Sequence, residues 1–110
     1  MIFDGVIMAK IGTVEELITR RRRQILVHSV IYYRLNDSII SDWQWGQWAV
    51  ELEKLQNEYP EIAEKCPFAD AFRGFDHSTG QNLPLDDPWA LSTALYLLNL
   101  YYRNNTDNDI

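Results

Sequence analysis

Apolar residues recur at helical spacing through most of the chain. Leu17, Arg21, Gln24, His28, Ile31 and Leu35 fall on one side of a helix, and Ile18, Ile25 and Tyr32 widen that stripe. Thr13-Val14-Glu15-Glu16 reads as a capping box, the hydroxyl of Thr13 and the carboxylate of Glu16 each serving a backbone amide of the other. The pattern predicts a long first helix over about residues 14–35. Asn36-Asp37-Ser38 is a stop signal. Ser41 is a suitable N-cap for a second helix, and Asp42 suits the positive end of its dipole. Trp45, Trp48, Ala49, Leu52, Leu55 and Tyr59 form the apolar side of that helix, with Glu51, Glu53, Lys54 and Glu58 toward water. Pro60 ends or kinks it, and residues 60–67 leave room for one more turn.

Residues 68–85 change character, punctuated by Gly74, Gly80 and Pro84, with Phe68, Phe72 and Phe75 as expected anchors onto the helices. Asp87 and Pro88 then open a third substantial helix, Pro88 at the position where a missing N–H costs nothing. Trp89, Leu91, Leu95, Leu98 and Tyr102 supply its apolar side, and Leu97 and Leu100 also need covering. Such a helix is either central in the core or used in self-association through residues 89–102. Residues 1–12 read as a short edge segment or a loose arm, with Met8 as an alternative start, and residues 104–110 as a polar tail. The expected fold is all-α: a small bundle of three main helices with a loop-rich segment before the last.

Length and charge narrow the function classes. With 110 residues there is one small domain and no room for a second core. Ten Lys and Arg against 16 Asp and Glu give a net charge of −6, which disfavours loose attraction to nucleic-acid phosphates. Arg20-Arg21-Arg22-Arg23 is the exception, read either as a solvated helix face with stems over apolar neighbours or as an anion or partner contact. Cys66 is the sole cysteine, so neither an internal disulfide nor a thiolate metal site is expected. Residues 91–100 are too short and too interrupted to span a bilayer, and nothing reads as a signal peptide. A cytosolic protein without membrane contact is the expectation.

No catalytic signature stands out. Gly74 and Gly80 with Lys10 and Lys54 do not build a phosphate loop. Asp76-His77-Ser78 holds triad residue types, but neighbours in sequence cannot orient one another as a triad does, and turn hydrogen bonding is the better account. A zinc site from His28 and His77 with Asp70 or Asp76 joins distant segments, and no metal is expected. The chain is expected not to be an enzyme, with no catalytic residue.

The corner between the first two helices carries more. Tyr32 and Tyr33 point about 100° apart, as adjacent helical residues do. Asp42 and Trp45 lie three residues apart, on nearly the same face of the next helix. A rim tyrosine, a carboxylate and an indole suit a flat cationic ring, by stacking and charge pairing. The alternative is equally physical: Asp42 caps its helix, and Tyr32, Trp45 and Trp48 fill the seam.

Tyr32-Tyr33, Ser41-Asp42, Leu52, Leu55 and Tyr59-Pro60-Glu61 resemble the small N-terminal helical domain of bacterial NAD-dependent DNA ligases. In that family a tyrosine followed by tyrosine or histidine ends one helix. A Ser/Pro-Asp-x-x-Tyr-Asp segment starts the next, which closes with Tyr/His-Pro-Glu. The resemblance implies a domain that holds the nicotinamide mononucleotide (NMN) half of NAD, with Tyr32, Tyr33 and Asp42 at matching positions. Trp45 stands where the family has tyrosine and Gly46 where it has a second aspartate. The resemblance covers about residues 15–62, and residues 68–103 have no counterpart in it. The nucleotidyltransferase lysine motif is absent from the sequence, so no ligase activity is implied.

Two functions follow. One is a small acidic protein that binds and modulates or inhibits another protein, as phage and mobile-element products do to host or defence proteins. Glu51, Glu58, Glu61, Arg20 and Arg23 are its candidate contacts, and it requires no cofactor. The other is a stand-alone module binding NMN or NAD through Tyr32, Tyr33, Asp42 and Trp45, acting in trans on a ligase-like partner. The missing carboxylate at Gly46 tilts the sequence toward the first.

Overall fold

The computed structural model describes residues 13–108, with side chains through Asn105. The expectations for residues 1–12, the start at Met8 included, lie outside the described residues. The described chain is all-α: α1 (Val14–Tyr33), α2 (Asp42–Glu58), a six-residue α3 (Pro60–Lys65), a four-residue α4 (Ala69–Phe72) and α5 (Pro88–Asn108). Among the described residues, no helix is long and apolar enough to cross a membrane.

Helix ends follow the expected capping chemistry. Glu16 N–H donates to the Thr13 hydroxyl at 3.1 Å, and Thr13 N–H donates to the Glu16 carboxylate at 3.0 Å, completing the capping box of α1. The Ser41 hydroxyl accepts from Gln44 N–H at 3.0 Å to start α2. The Asp87 carboxylate accepts from Ala90 N–H at 2.9 Å to start α5. α1 ends at Tyr33, two residues before the expected boundary, because Asn36 adopts the left-handed conformation (φ 54°). The amides of Leu35 and Asp37 then fold back onto the carbonyls of Val30 and Ile31, at 3.1 and 3.0 Å.

The central element is α1. It packs against α2 on one side and α5 on another, burying Ile18, Ile25, Leu26, Val27, Val30 and Ile31. A helix covered from two directions needs apolar residues around much of its circumference, so the single stripe predicted for it is too narrow. The α5 helix is peripheral instead. It meets α1 through Ala90 and Ala94, with Leu91, Leu97 and Leu98 partly covered, while Trp89, Leu95 and Tyr102 of the predicted apolar side are exposed. Small residues on the buried face let the two backbones approach closely. The expected polar tail is helical as far as Asn108.

Arg22 corrects the reading of the arginine run as a solvated face. Its side chain is 2% exposed. Its guanidinium donates to Gln56 Oε1 (2.9 Å) and to the carbonyls of Cys66 (3.2 Å) and Pro67 (3.0 Å), 5.8 Å from the Phe72 ring. Gln56 in turn donates to the Phe72 carbonyl at 2.9 Å. Arg22 and Gln56 thereby tie α3 and α4 to the two long helices. Burial lowers the Arg22 pKa below the usual guanidinium value, partly offset by Cys66 and Glu64, and the group keeps its charge.

Candidate functional site: a cavity at the corner between α1 and α2

Tyr32 and Tyr33 are the last two residues of α1, and Asp42 is the first of α2. The left-handed Asn36 turns the chain back so that these two ends face each other. Their side chains line one cavity of about 210 Å³ together with His28, Trp45, Ser38–Ser41 and, from the later loop, Ser78 and Thr79. All four candidate ligand-binding residues of the corner thus share a single concavity. Tyr32 and Tyr33 are both exposed and pack edge to face, 4.9 Å between ring centres. The seam-filling alternative therefore fails for Tyr32.

Trp45 and the later loop hold the back of the site. The Trp45 indole N–H donates to the Ser29 hydroxyl at 3.2 Å. The loop crosses this pair at Gly80, where an added Cβ would overlap the Ser29 hydroxyl and press to 3.1 Å from the Trp45 ring. Gly80 is there because only hydrogen fits. One residue earlier in the chain, the Thr79 hydroxyl is hydrogen-bonded to that of Tyr33 at 3.2 Å, closing one wall. Asp76 Oδ1 accepts from Ser78 N–H at 2.6 Å, and Thr79 Oγ1 from Gln81 N–H at 3.1 Å, so short-range turns shape the loop.

The electrostatics of the lining are simple. Asp42, at the rim, is the acidic residue of the lining, and among the described residues no lysine or arginine lines the cavity. His28 is neutral there, because burial pushes its pKa below the ordinary value. Its Nδ1 is buried without a hydrogen-bond partner among the described residues, and the ring lies 5.6 Å from that of Trp48. Three aromatic side chains and one carboxylate suit a flat cationic ring. They do not suit a phosphate, which needs donors or cations around it. The volume lies below the roughly 300–1,000 Å³ usual for drug-sized ligands, so it admits one ring-sized head group.

The remaining sequence candidates are dispersed. Glu51 is paired with Arg21, which also donates to Gln24 at 2.7 Å and lies 5.9 Å from the Trp48 ring. Glu58 and Glu61 are exposed around the α2–α3 junction. Arg20 and Arg23 line an open cleft with Lys65 and Cys66, and Arg23 lies 5.8 Å from the Trp89 ring. Gly46 has open space around it, so the departure from the ligase pattern is not forced by packing.

Sequence reasoning missed His28, Ser78 and Thr79. His28 falls on the apolar stripe of α1 and reads as core, and no local signal links the loop to the corner. Gly80 is the one residue whose type hints at a close approach.

The chain matches no protein-family model, no curated protein sequence and no solved structure. The function therefore rests on the residues of the cavity themselves.

Proposed function

We propose that this protein is a small-molecule-binding module whose corner cavity takes a flat, cationic heteroaromatic head group, with the nicotinamide of NMN or NAD as the first candidate. One observation carries the reading: Tyr32, Tyr33, Asp42 and Trp45, singled out as ligand contacts, line one cavity together with His28. The pyridinium ring stacks against the tyrosines and the indole, and Asp42 balances its charge. The phosphate of the nucleotide stays outside, since among the described residues no cationic side chain lines the cavity.

Isothermal titration and tryptophan fluorescence with NMN, NAD and nicotinamide riboside test this. Saturable one-to-one binding is expected, weakened about tenfold by Asp42→Asn, the loss of one charge-assisted contact. If millimolar NMN, NAD and riboside each leave both signals unchanged, the nicotinamide reading is wrong.

A second reading, capture of a partner protein, is favoured by α5. No charged residue lies between positions 88 and 102, and Leu95 (53% exposed) and Tyr96 (62% exposed) face solvent with Tyr102. In a chain of net charge −6, this uncharged surface is where a partner or a second copy approaches without desolvating carboxylates. Cross-linking and size-exclusion of the wild type and of Leu95→Glu separate the two: a complex or dimer lost on Leu95→Glu supports the surface. A monomer with no partner in both forms removes it.

A further inference from the structure

Glu53, Asp76 and His77 meet on the opposite flank of the same loop. Glu53 belongs to α2, and Asp76 and His77 lie in the segment between α4 and α5. One donor atom from each lies within 4.8 Å of the others, and His77 Nδ1 is hydrogen-bonded to Glu53 Oε1 at 2.6 Å. We propose that these three side chains form a site for a divalent transition-metal ion of the zinc class, which fastens the loop to α2.

The chemistry of the donor set selects the ion. An imidazole nitrogen with carboxylate oxygens suits zinc and its neighbours, whereas calcium and magnesium prefer all-oxygen shells. Bond lengths of about 2.0–2.2 Å place ligand atoms roughly 3–4 Å apart around such an ion, so small side-chain rotations complete the triad. Two carboxylates neutralise the dication. Asp76 is already oriented by the Ser78 amide on Oδ1, which leaves Oδ2 to turn toward the metal. Asp76 and His77 are exposed and Glu53 is half-buried, so water completes the coordination on the outer side.

Binding requires a neutral imidazole. The ion takes the place of the proton that His77 shares with Glu53, and that proton is released to solvent. The consequence reaches the corner cavity, because the next two residues, Ser78 and Thr79, line it. A metal at the triad holds that wall in place whether or not the cavity takes a nicotinamide ring.

Isothermal titration of the full chain with zinc chloride, in a non-chelating buffer at about pH 7.5, tests the site. One ion per chain is expected, with affinity reduced at least about tenfold by His77→Ala and by Glu53→Gln, and reduced again at about pH 6 where protons compete. Cys66→Ser should bind as the wild type does, since the Cys66 thiol is buried elsewhere. Hydrogen exchange at the Thr79 amide should slow with zinc in the wild type and not in His77→Ala. Zinc binding that survives His77→Ala, that is lost in Cys66→Ser, or that fails to saturate by about 1 mM overturns the proposal.

Discussion

Four consecutive arginines meet four environments. Arg20 is exposed, Arg21 is half-buried against Glu51, Arg22 is buried, and Arg23 leans on Trp89. Residues at successive helical positions point about 100° apart, so a run of one type on a central helix must send one member inward. Arg22 is that member, and its fork matches one amide oxygen and two carbonyls. Arg22→Ala should destabilise the fold by about 2–3 kcal/mol, because it removes those bonds and leaves the carbonyls of Cys66 and Pro67 short of donors. Arg22→Lys should recover less than half of the loss, since a point charge cannot serve three acceptors fixed by a planar fork. Urea midpoints of the two variants measure this. A wild-type midpoint for Arg22→Ala would mean that the carbonyls find water instead.

At the scale of elements, the ends of the long helices were legible and their surroundings were not. Thr13 with Glu16, Ser41, Pro60 and Asp87 with Pro88 mark boundaries through local chemistry that needs no tertiary partner. Which helix is central depends on what packs against it. The apolar run of α5 left a central place and self-association both open, and the two-sided burial belongs to α1, where Val27 and Ser29 fill positions the single stripe omitted. The loop between α4 and α5 was illegible for the same reason: its place is fixed by Gly80 against Ser29 and Trp45, and by Thr79 against Tyr33. Gly80→Ala should therefore push the loop off the α1–α2 seam. The expected outcome is a loss of about 1–3 kcal/mol, the usual range for overpacking, with a red-shifted Trp45 emission as water reaches the indole. Ligand affinity should fall with it. Unchanged emission and stability would show that the loop yields by a few tenths of an ångström and that it does not build the wall.

For the whole molecule, the half of the site supplied by the corner could be read in advance, because Tyr32, Tyr33, Asp42 and Trp45 flank a single turn. The long-range half, His28 and the loop, sets how the protein answers to acid. Burial holds the His28 pKa below the ordinary 6.5 in the fold, so above 6.5 neither the folded nor the unfolded chain is protonated there and stability is at its full value. As pH falls below 6.5, the unfolded chain takes up the proton and the folded chain resists it, so stability declines until pH passes the folded pKa. His77 acts in the other direction: its hydrogen bond and charge pairing with Glu53 raise its pKa, adding stability below 6.5 that is lost as pH rises through the folded value. His77 is exposed and Glu53 only half-buried, so that pair is screened and the more buried His28 ring should dominate, and more so at high salt. Asp37, Glu64 and Asp76, all held below their usual values, lose their stabilising contributions only as pH falls below about 5, outside this window. Urea midpoints at about 0.5 M salt should therefore drop between about pH 7 and 5.5, and His28→Phe should flatten that slope. A flat wild-type slope would mean that His28 binds its proton as tightly in the folded chain as in the unfolded one. Ligand affinity follows the folded ring instead: an imidazolium beside a cationic ring repels it, so affinity for NMN should hold while stability is already declining, fall only at lower pH where the folded His28 itself takes up the proton, and stay level in His28→Phe.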